Sequence, residues 1–385
     1  MSSSQELYNR LDKKLREVVR VKNGKQVTNW IWIIVGILQS QSSNLSKIAN
    51  CLPLETKAES RVTLIRRWLS NPQVRVWQFY KKILEQVLSG WSAVEAYLIL
   101  DGVTVFGGRW QILRVSLQHG CRAIPIAWTL VEGEGLVKVT RLKDMLEKVQ
   151  KFLKKYVKRV TLLADAGFRD CDWAQLCLKL GWNYAIRVAC NTYITLPDGT
   201  SDRLDHWVPQ NCNRYFQEVL LTREEKLQTN VSVTWTMDQQ GELEMVAIIP
   251  LAGIITDQIA CRARLREYSG RMSIEQSFRD DKSGGFDLAH TRLQHADRID
   301  HLLLAVAIAT LWCHELGEFV LKQGDEARCQ VDPAHERTLS LFQLGLRWLK
   351  RALATGLPCL PNFKAALSNL KLKPVVIPIT LNSNV

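Results

Sequence analysis

The stretch Tyr268-Ser-Gly-Arg271-Met-Ser-Ile-Glu275-Gln-Ser-Phe-Arg-Asp-Asp-Lys282 decides how this chain is read. Tyr268, Arg271, Glu275 and Lys282 follow one another at steps of three, four and seven. On an α-helix, at about 100° per residue, those steps keep the four side chains within roughly a 60° stripe. One carboxylate then shares a face with two cations and a phenol. Such a face would bring a metal-binding acid up to a phosphate backbone while the cations grip phosphates on either side. The same spacings also occur on ordinary salt-bridged solvent faces, so the rest of the chain has to decide. A continuous helix is expected over residues 262–282, ended by Ser283-Gly284-Gly285.

Two further acids stand at matching places upstream. The apolar run Ala96 to Leu100 is expected to end as a strand in Asp101-Gly102, and Val160 to Ala164 in Asp165-Ala166-Gly167. An ionised carboxylate there is costly unless it reaches solvent, a partner or a metal. If the two strands are parallel neighbours, both acids converge at one sheet edge, and a helix carrying Glu275 closes the triangle. Three carboxylates around one point repel unless cations sit among them. Two Mg2+ ions, roughly 3.5 to 4 Å apart, would neutralise them and carry phosphoryl chemistry. Taken singly, each Asp reads equally well as a turn residue.

Around these acids the chain divides by pattern. Residues 1–92 read as short helices, with Lys57, Arg61, Arg66 and Arg67 crowded before the break at Asn71-Pro72. That suits either a helix-turn-helix type of DNA-binding domain or a plain bundle with a basic surface. Residues 93–189 alternate strands and helices, including a basic amphipathic helix over about 138–156, as a mixed α/β sheet does. Residues 190–257 are β-rich. Val231, Val233, Trp235 and Met237 keep a strand period, and Pro197-Asp198-Gly199 and Gln239-Gln240-Gly241 mark turns. Helical pattern returns over 258–325. A C-terminal helical region and tail fill 326–385, the part after about Pro374 showing no clear pattern.

Composition narrows the partners. Lys and Arg total 51 against 38 Asp and Glu, a net charge of +13 that favours a polyanion. The apolar runs Trp30 to Leu38 and Leu302 to Cys313 fall short of the roughly 20 residues of a membrane span, and the N-terminus lacks a signal-peptide core. No membrane partner and a cytoplasmic location are therefore expected. The ten cysteines are scattered without zinc spacing and are expected to be reduced, mostly as packed small apolar groups. No Gly-rich loop precedes Lys-Ser or Lys-Thr, so a nucleoside triphosphate is not an expected fuel.

The spacing Tyr268-x2-Arg271-x3-Glu275-x6-Lys282 resembles the signature helix of bacterial DDE transposases of the insertion-sequence-four family. The flanking YSGRMSIEQSFRDDKSGGFDLAHTR is similar to members related to the tetracycline-resistance composite transposon. LLADAGFRD resembles their second-Asp segment, and NLSKIANCLPLETKAESRVTLIRRWL their N-terminal DNA-binding region. The resemblance covers residues 40–315. It implies an RNase H-like catalytic core with a β-rich insertion, an all-α DNA-binding domain before it and C-terminal helices after it.

The resemblance further implies Asp101, Asp165 and Glu275 as a catalytic triad holding two Mg2+ ions, with Mn2+ as a substitute. Tyr268, Arg271 and Lys282 become contacts to DNA phosphates. The implied partners are double-stranded DNA, as terminal inverted repeats and as target, and a second copy of the chain in a synaptic complex. The implied setting is a bacterial cytoplasm, at the nucleoid. The implied reaction is cut-and-paste transposition through a DNA hairpin. One departure concerns the hairpin. Relatives that make it place a Trp shortly before Val-x-Ala-x-x-x-Pro, whereas here Leu243-Glu-Met-Val-Ala-Ile-Ile-Pro250 has none. Trp235 is the candidate substitute for stacking a flipped base, against the plainer reading of a core Trp in a hairpin.

Overall fold

The computed structural model describes residues 3–357 and Phe363, apart from residues 20–22, 92–93, 120–121, 210–211, 223–226, 238–242 and 251–260 and positions 134, 136 and 283. The turn expected at Gln239–Gly241 and the tail after Pro374 lie outside the described residues.

Five helices come first: α1 (Ser3–Val18), α2 (Gly24–Ser40), α3 (Leu45–Asn50), α4 (Ala58–Leu69) and α5 (Val76–Val87). Helix α1 buries Leu7, Leu11 and Leu15 at four-residue spacing and pairs Arg16 with Asp12 (2.7 Å) on its outer face. Helix α2 is apolar nearly all round and buried along most of its length, as the central helix of a cluster must be. Asn44 caps α3 by accepting from the Ser46 and Lys47 backbone N–H groups.

The sheet then begins with β1 (Glu95–Val105), β2 (Trp110–His119) and β3 (Arg122–Glu132). It continues through α6 (Lys143–Leu153), β4 (Arg159–Ala164), α7 (Cys171–Leu180) and β5 (Asn183–Val188). The β-rich stretch follows as β6 (Tyr193–Thr195), β7 (Ser201–Arg203), α8 (Leu204–Trp207), β8 (Arg214–Leu221), β9 (Leu227–Met237) and β10 (Leu243–Pro250). Helices close the chain: α9 (Arg262–Ser269), α10 (Met272–Asp281), α11 (Ala296–Gln323), α12 (Asp325–Cys329) and α13 (Leu341–Thr355).

The strands form one ten-stranded sheet in the order β3-β2-β1-β4-β5-β10-β9-β8-β6-β7. Strands β1, β4 and β5 are parallel, while β2 and β3 run antiparallel to their neighbours. This is the mixed α/β core expected of an RNase H-like enzyme. The β-rich stretch continues that sheet edge to edge, since β10 pairs antiparallel with β5.

Helices cover both faces of the central strands, which explains their unbroken apolar runs. On one face Ile99, Leu163 and Ala185 pack with Ile274 and Phe278 of α10. Leu98, Leu100, Leu162 and Ala164 belong to the main core instead, with the buried side of α6.

Three expectations need correction. Strand β1 does not stop at Asp101; it runs to Val105 because the β2 hairpin goes on pairing with it, Asp101 opposite Arg114 and Val105 opposite Trp110. The helix expected over 138–156 is shorter, α6 being preceded by a 3-10 turn at Val139–Arg141. Of the eight described cysteines, none in a disulfide, only Cys171, Cys177 and Cys313 are buried. Helix α11 is long and apolar enough to cross a membrane by length and composition, but 89% of its most apolar window is buried inside the fold.

Candidate active site

The register of β1 and β4 sets the first two acids. Leu100 pairs with Ala164 at the last position of that parallel ladder, so Asp101 and Asp165 are the next residue on each strand. Asp101 stays in the hairpin, 9% exposed, and its Oδ1 accepts from the Gly102 N–H (2.7 Å). A side chain at 102 would meet Gln111 and Leu113 at 2.9 Å, which accounts for glycine there. Asp165 turns out of β4 and caps the 3-10 turn Ala166–Phe168, accepting from the Gly167 N–H at 2.9 Å.

The signature segment is two helices, not one. Hydrogen bonds of the i to i+3 kind run from Gly270 N–H to Glu267, from Arg271 to Tyr268 and from Ser273 to Gly270 (3.1, 2.9 and 3.1 Å). The chain passes close to β2 here: a side chain at Gly270 would stand 2.5 Å from the Gln118 amide. The backbone of Arg271 nevertheless keeps helical angles (φ −55°, ψ −35°), so Arg271 and Glu275 still share a face. Lys282 has left the helix (φ −88°, ψ −123°).

Arg271 joins the site together. One guanidinium nitrogen donates to Asp101 Oδ2 at 2.9 Å and the other terminal nitrogen to Glu275 Oε1 at 2.7 Å. Arg271 and Asp101 side chains are each 12% exposed, while Glu275 is 38% exposed. Burial pushes the Asp101 carboxyl up to about 6; Arg271 and the Gly102 N–H oppose the shift, and Asp165 and Glu275 add to it. Asp101 is thus within electrostatic reach of both other acids. Burial also drives the Tyr268 phenol up to about 12, against the nearby cations Arg271 and Arg187. Its hydroxyl oxygen has no hydrogen-bond partner among the described residues.

The donor set is all carboxylate oxygen, which is what Mg2+, Mn2+ and Ca2+ take. Asp101 is desolvated and repelled by the other two acids, so the residues fit divalent cations. They do not form a ready three-ligand cluster: among the described residues no three His, Cys, Asp or Glu side chains lie close enough for one ion.

The remaining sequence candidates scatter. Lys282 lines a small cavity with Arg114, Phe278 and Asp281 rather than meeting the carboxylates. Lys57, Arg66 and Arg67 are exposed at the two ends of α4. Arg61 is committed elsewhere: it donates to the carbonyls of Ala49 (2.9 Å), Leu54 (3.2 Å) and Thr56, tying down the segment between α3 and α4. Trp235 on β9 is half-buried against the core, and its indole N–H lacks a partner among the described residues.

Sequence reasoning missed Arg114 and Asp281. They form an ion pair, each 7% exposed, and the Arg114 guanidinium lies 4.3 Å from the Phe278 ring centroid. Arg114 is also the cross-strand partner of Asp101. The signal was present: a cation inside the apolar run of β2 asks for a buried acid.

Residues 138–312 match the family model described as transposase DDE domain. The match makes this chain an enzyme of the metal-dependent class that cleaves DNA and transfers strands. Its work is DNA transposition, and DNA is its partner. Asp165 and Glu275 lie inside the matched residues and Asp101 lies before them. Among solved structures the chain is similar to a piggyBac transposase synaptic complex with hairpin DNA, at 12% identity and a TM-score of 0.40, over 91% of this chain and 78% of that one. It is also similar to Marinitoga piezophila Argonaute in complex with 5′ OH guide RNA, at 11% identity and a TM-score of 0.27, over 58% and 34%. No curated protein matches.

Proposed function

We propose that this chain is the transposase of a bacterial insertion sequence, of the insertion-sequence-four family and related to that of the tetracycline-resistance composite transposon. It binds terminal inverted repeats as double-stranded DNA, cuts the element free and joins its 3′-hydroxyl ends to target DNA. The observation that carries this reading is the bridge from Arg271 to both Asp101 and Glu275 beside Asp165, with Arg271, Glu275 and Asp165 inside the residues that match a transposase DDE domain. Residues 1–92 serve as the DNA-binding domain, 93–189 and 258–325 as the catalytic core, 190–257 as the insertion, and 326–385 as the C-terminal region. The protein works as a homodimer in a synaptic complex, in the cytoplasm at the nucleoid.

Asp101, Asp165 and Glu275 would hold two Mg2+ ions, with Mn2+ able to replace them. The chemistry supplied on binding would be activation of a water or 3′-hydroxyl nucleophile and stabilisation of the leaving oxygen. The protein supplies the rest. Asp101 is fixed by the hairpin and by the Gly102 N–H. Arg271, carrying a permanent charge, orients Asp101 and Glu275 and turns toward a phosphate when DNA enters. Tyr268 and Lys282 grip the backbone on either side, and Lys57, Arg66 and Arg67 hold the inverted repeat. Arg61 shapes the loop that presents them. Trp235 stacks a flipped base if the cut end passes through a hairpin.

Asp101→Asn, Asp165→Asn and Glu275→Gln are each expected to abolish cleavage of an end-containing duplex in Mg2+ while leaving its gel shift unchanged. Wild-type cleavage rates in any one of them would remove that residue from the triad.

A further inference from the structure

The sheet carries a second charged feature that the carboxylate site does not use. From Lys143 to Lys158, across α6 and the turn after it, the chain has six lysines against two acids, Asp144 and Glu147. Lys143, Lys148, Lys151, Lys154, Lys155 and Lys158 are all exposed. Helix α6 buries Leu146, Val149, Phe152 and Leu153, so its apolar side is satisfied; its outer side carries Lys143, Lys148 and Lys151 with Asp144 and Glu147, and Lys154, Lys155 and Lys158 in the turn give the surface its cationic excess.

An ordinary solvated face looks different in this same protein. On α1 the cations Arg10, Lys14 and Arg16 each pair with an acid one turn away, and on α5 Lys81 and Lys82 both reach Glu85. None of the six lysines around α6 is in an ion pair among the described residues. Like charges three residues apart on the helix, as at Lys148 and Lys151, destabilise it. The helix C-terminus favours one or two cations nearby, not six. A polyanion would relieve this repulsion.

The face is also set apart from the cutting site. The buried residues of α6 belong to the core containing Leu98, Leu100, Leu162 and Ala164. Helix α10 packs instead on Ile99, Leu163 and Ala185. The two helices therefore pack into separate apolar clusters.

We infer that the lysine face of α6 is a second, sequence-independent binding surface for duplex DNA, holding a stretch other than the one at the carboxylates. This rests on the reading of the chain as a transposase. A helix of eleven residues is about 16 Å long, the axial length of about five phosphates of one strand. Lysines act there as point charges on flexible stems, suited to phosphates and indifferent to bases.

The test is the full-length variant Lys148→Gln/Lys151→Gln/Lys155→Gln, measured by fluorescence anisotropy on a random duplex of about 30 base pairs between 50 and 200 mM salt. Its plot of log K against log salt is expected to be shallower than wild type by about 2 to 3, at about 0.9 per phosphate lost, with a melting temperature no lower than that of wild type. An unchanged slope in a variant that still cleaves end DNA would overturn the second surface alone. Loss of binding to phosphatidylserine vesicles without any change on duplex would overturn it in favour of a membrane. A shallower slope in a protein that never cuts end DNA would keep the surface and sink the transposase reading.

Discussion

Asp101 shows how one position can be both legible and misjudged. Its acid at the edge of an apolar run pointed to a site, yet the strand does not end there. It continues because Arg114 and its neighbours on β2 go on pairing, and this extra pairing holds the carboxylate rigid and nearly dry. Arg271 is the cation that keeps Asp101 from rising further. Replacing Arg271 with Ala is expected to move the Asp101 carboxyl above about 6 in the metal-free protein, read by carbon NMR of labelled Asp. No movement would mean that the 2.9 Å contact does not form in solution. Tyr268, Arg271, Glu275 and Lys282 were readable as a motif because their spacing survives in the chain. That Lys282 lies apart from the acids was not readable, since it depends on where α10 stops.

Helix α10 is held at both ends by the same cross-strand pair. Arg271 at its start reaches Asp101, and Asp281 at its end reaches Arg114, the residue opposite Asp101. Between them Ser277 donates to the Ala123 carbonyl on β3 (3.2 Å), and Phe278 lies under the Arg114 guanidinium. Breaking a buried pair strands a charge, at about 3 to 5 kcal/mol, whereas replacing both partners by apolar groups is often neutral. Arg114→Met and Asp281→Leu are each expected to lose stability on that scale in urea unfolding, and the double variant to recover most of it. Equal losses in all three proteins would show that packing, not charge, seats the helix. The break between α9 and α10 belongs to this scale too. A helical period over 262–282 predicted one helix, whereas i to i+3 bonding about Gly270, where the chain passes close to Gln118 on β2, divides it into two.

Across the whole molecule, stability should report its buried titratable groups. His314 lies on α11 with its Nε2 lacking a partner among the described residues. Burial, with Arg122 nearby, lowers it from 6.5 to about 3. The unfolded chain takes up a proton as pH falls through 6.5 while the folded chain refuses it until about 3, so stability is lost across that window. Each pH unit there costs up to about 1.4 kcal/mol through this group. Asp280, raised to about 7 chiefly by burial, acts with the opposite sign. The difference between wild type and His314→Gln isolates the histidine. The variant is expected to lose less stability between pH 6.5 and 4.5 in calorimetry, and parallel curves would refute the assignment.

The sequence by itself determined the order of helical, mixed and β-rich regions and the candidate acids, because hydrophobic period and motif spacing are local properties of the chain. It also showed the lysine run of α6, though not that those lysines stand unpaired. The tertiary structure decided the rest. Parallel pairing of β1 with β4 set Asp101 beside Asp165, and the docking of α10 brought Glu275 and Arg271 to them. The signature segment divided into two helices at Gly270, and Arg61 was turned inward to carbonyls. Each of these depends on contacts between residues far apart in the chain, whose pairing is fixed only when the sheet and its helices close on one another.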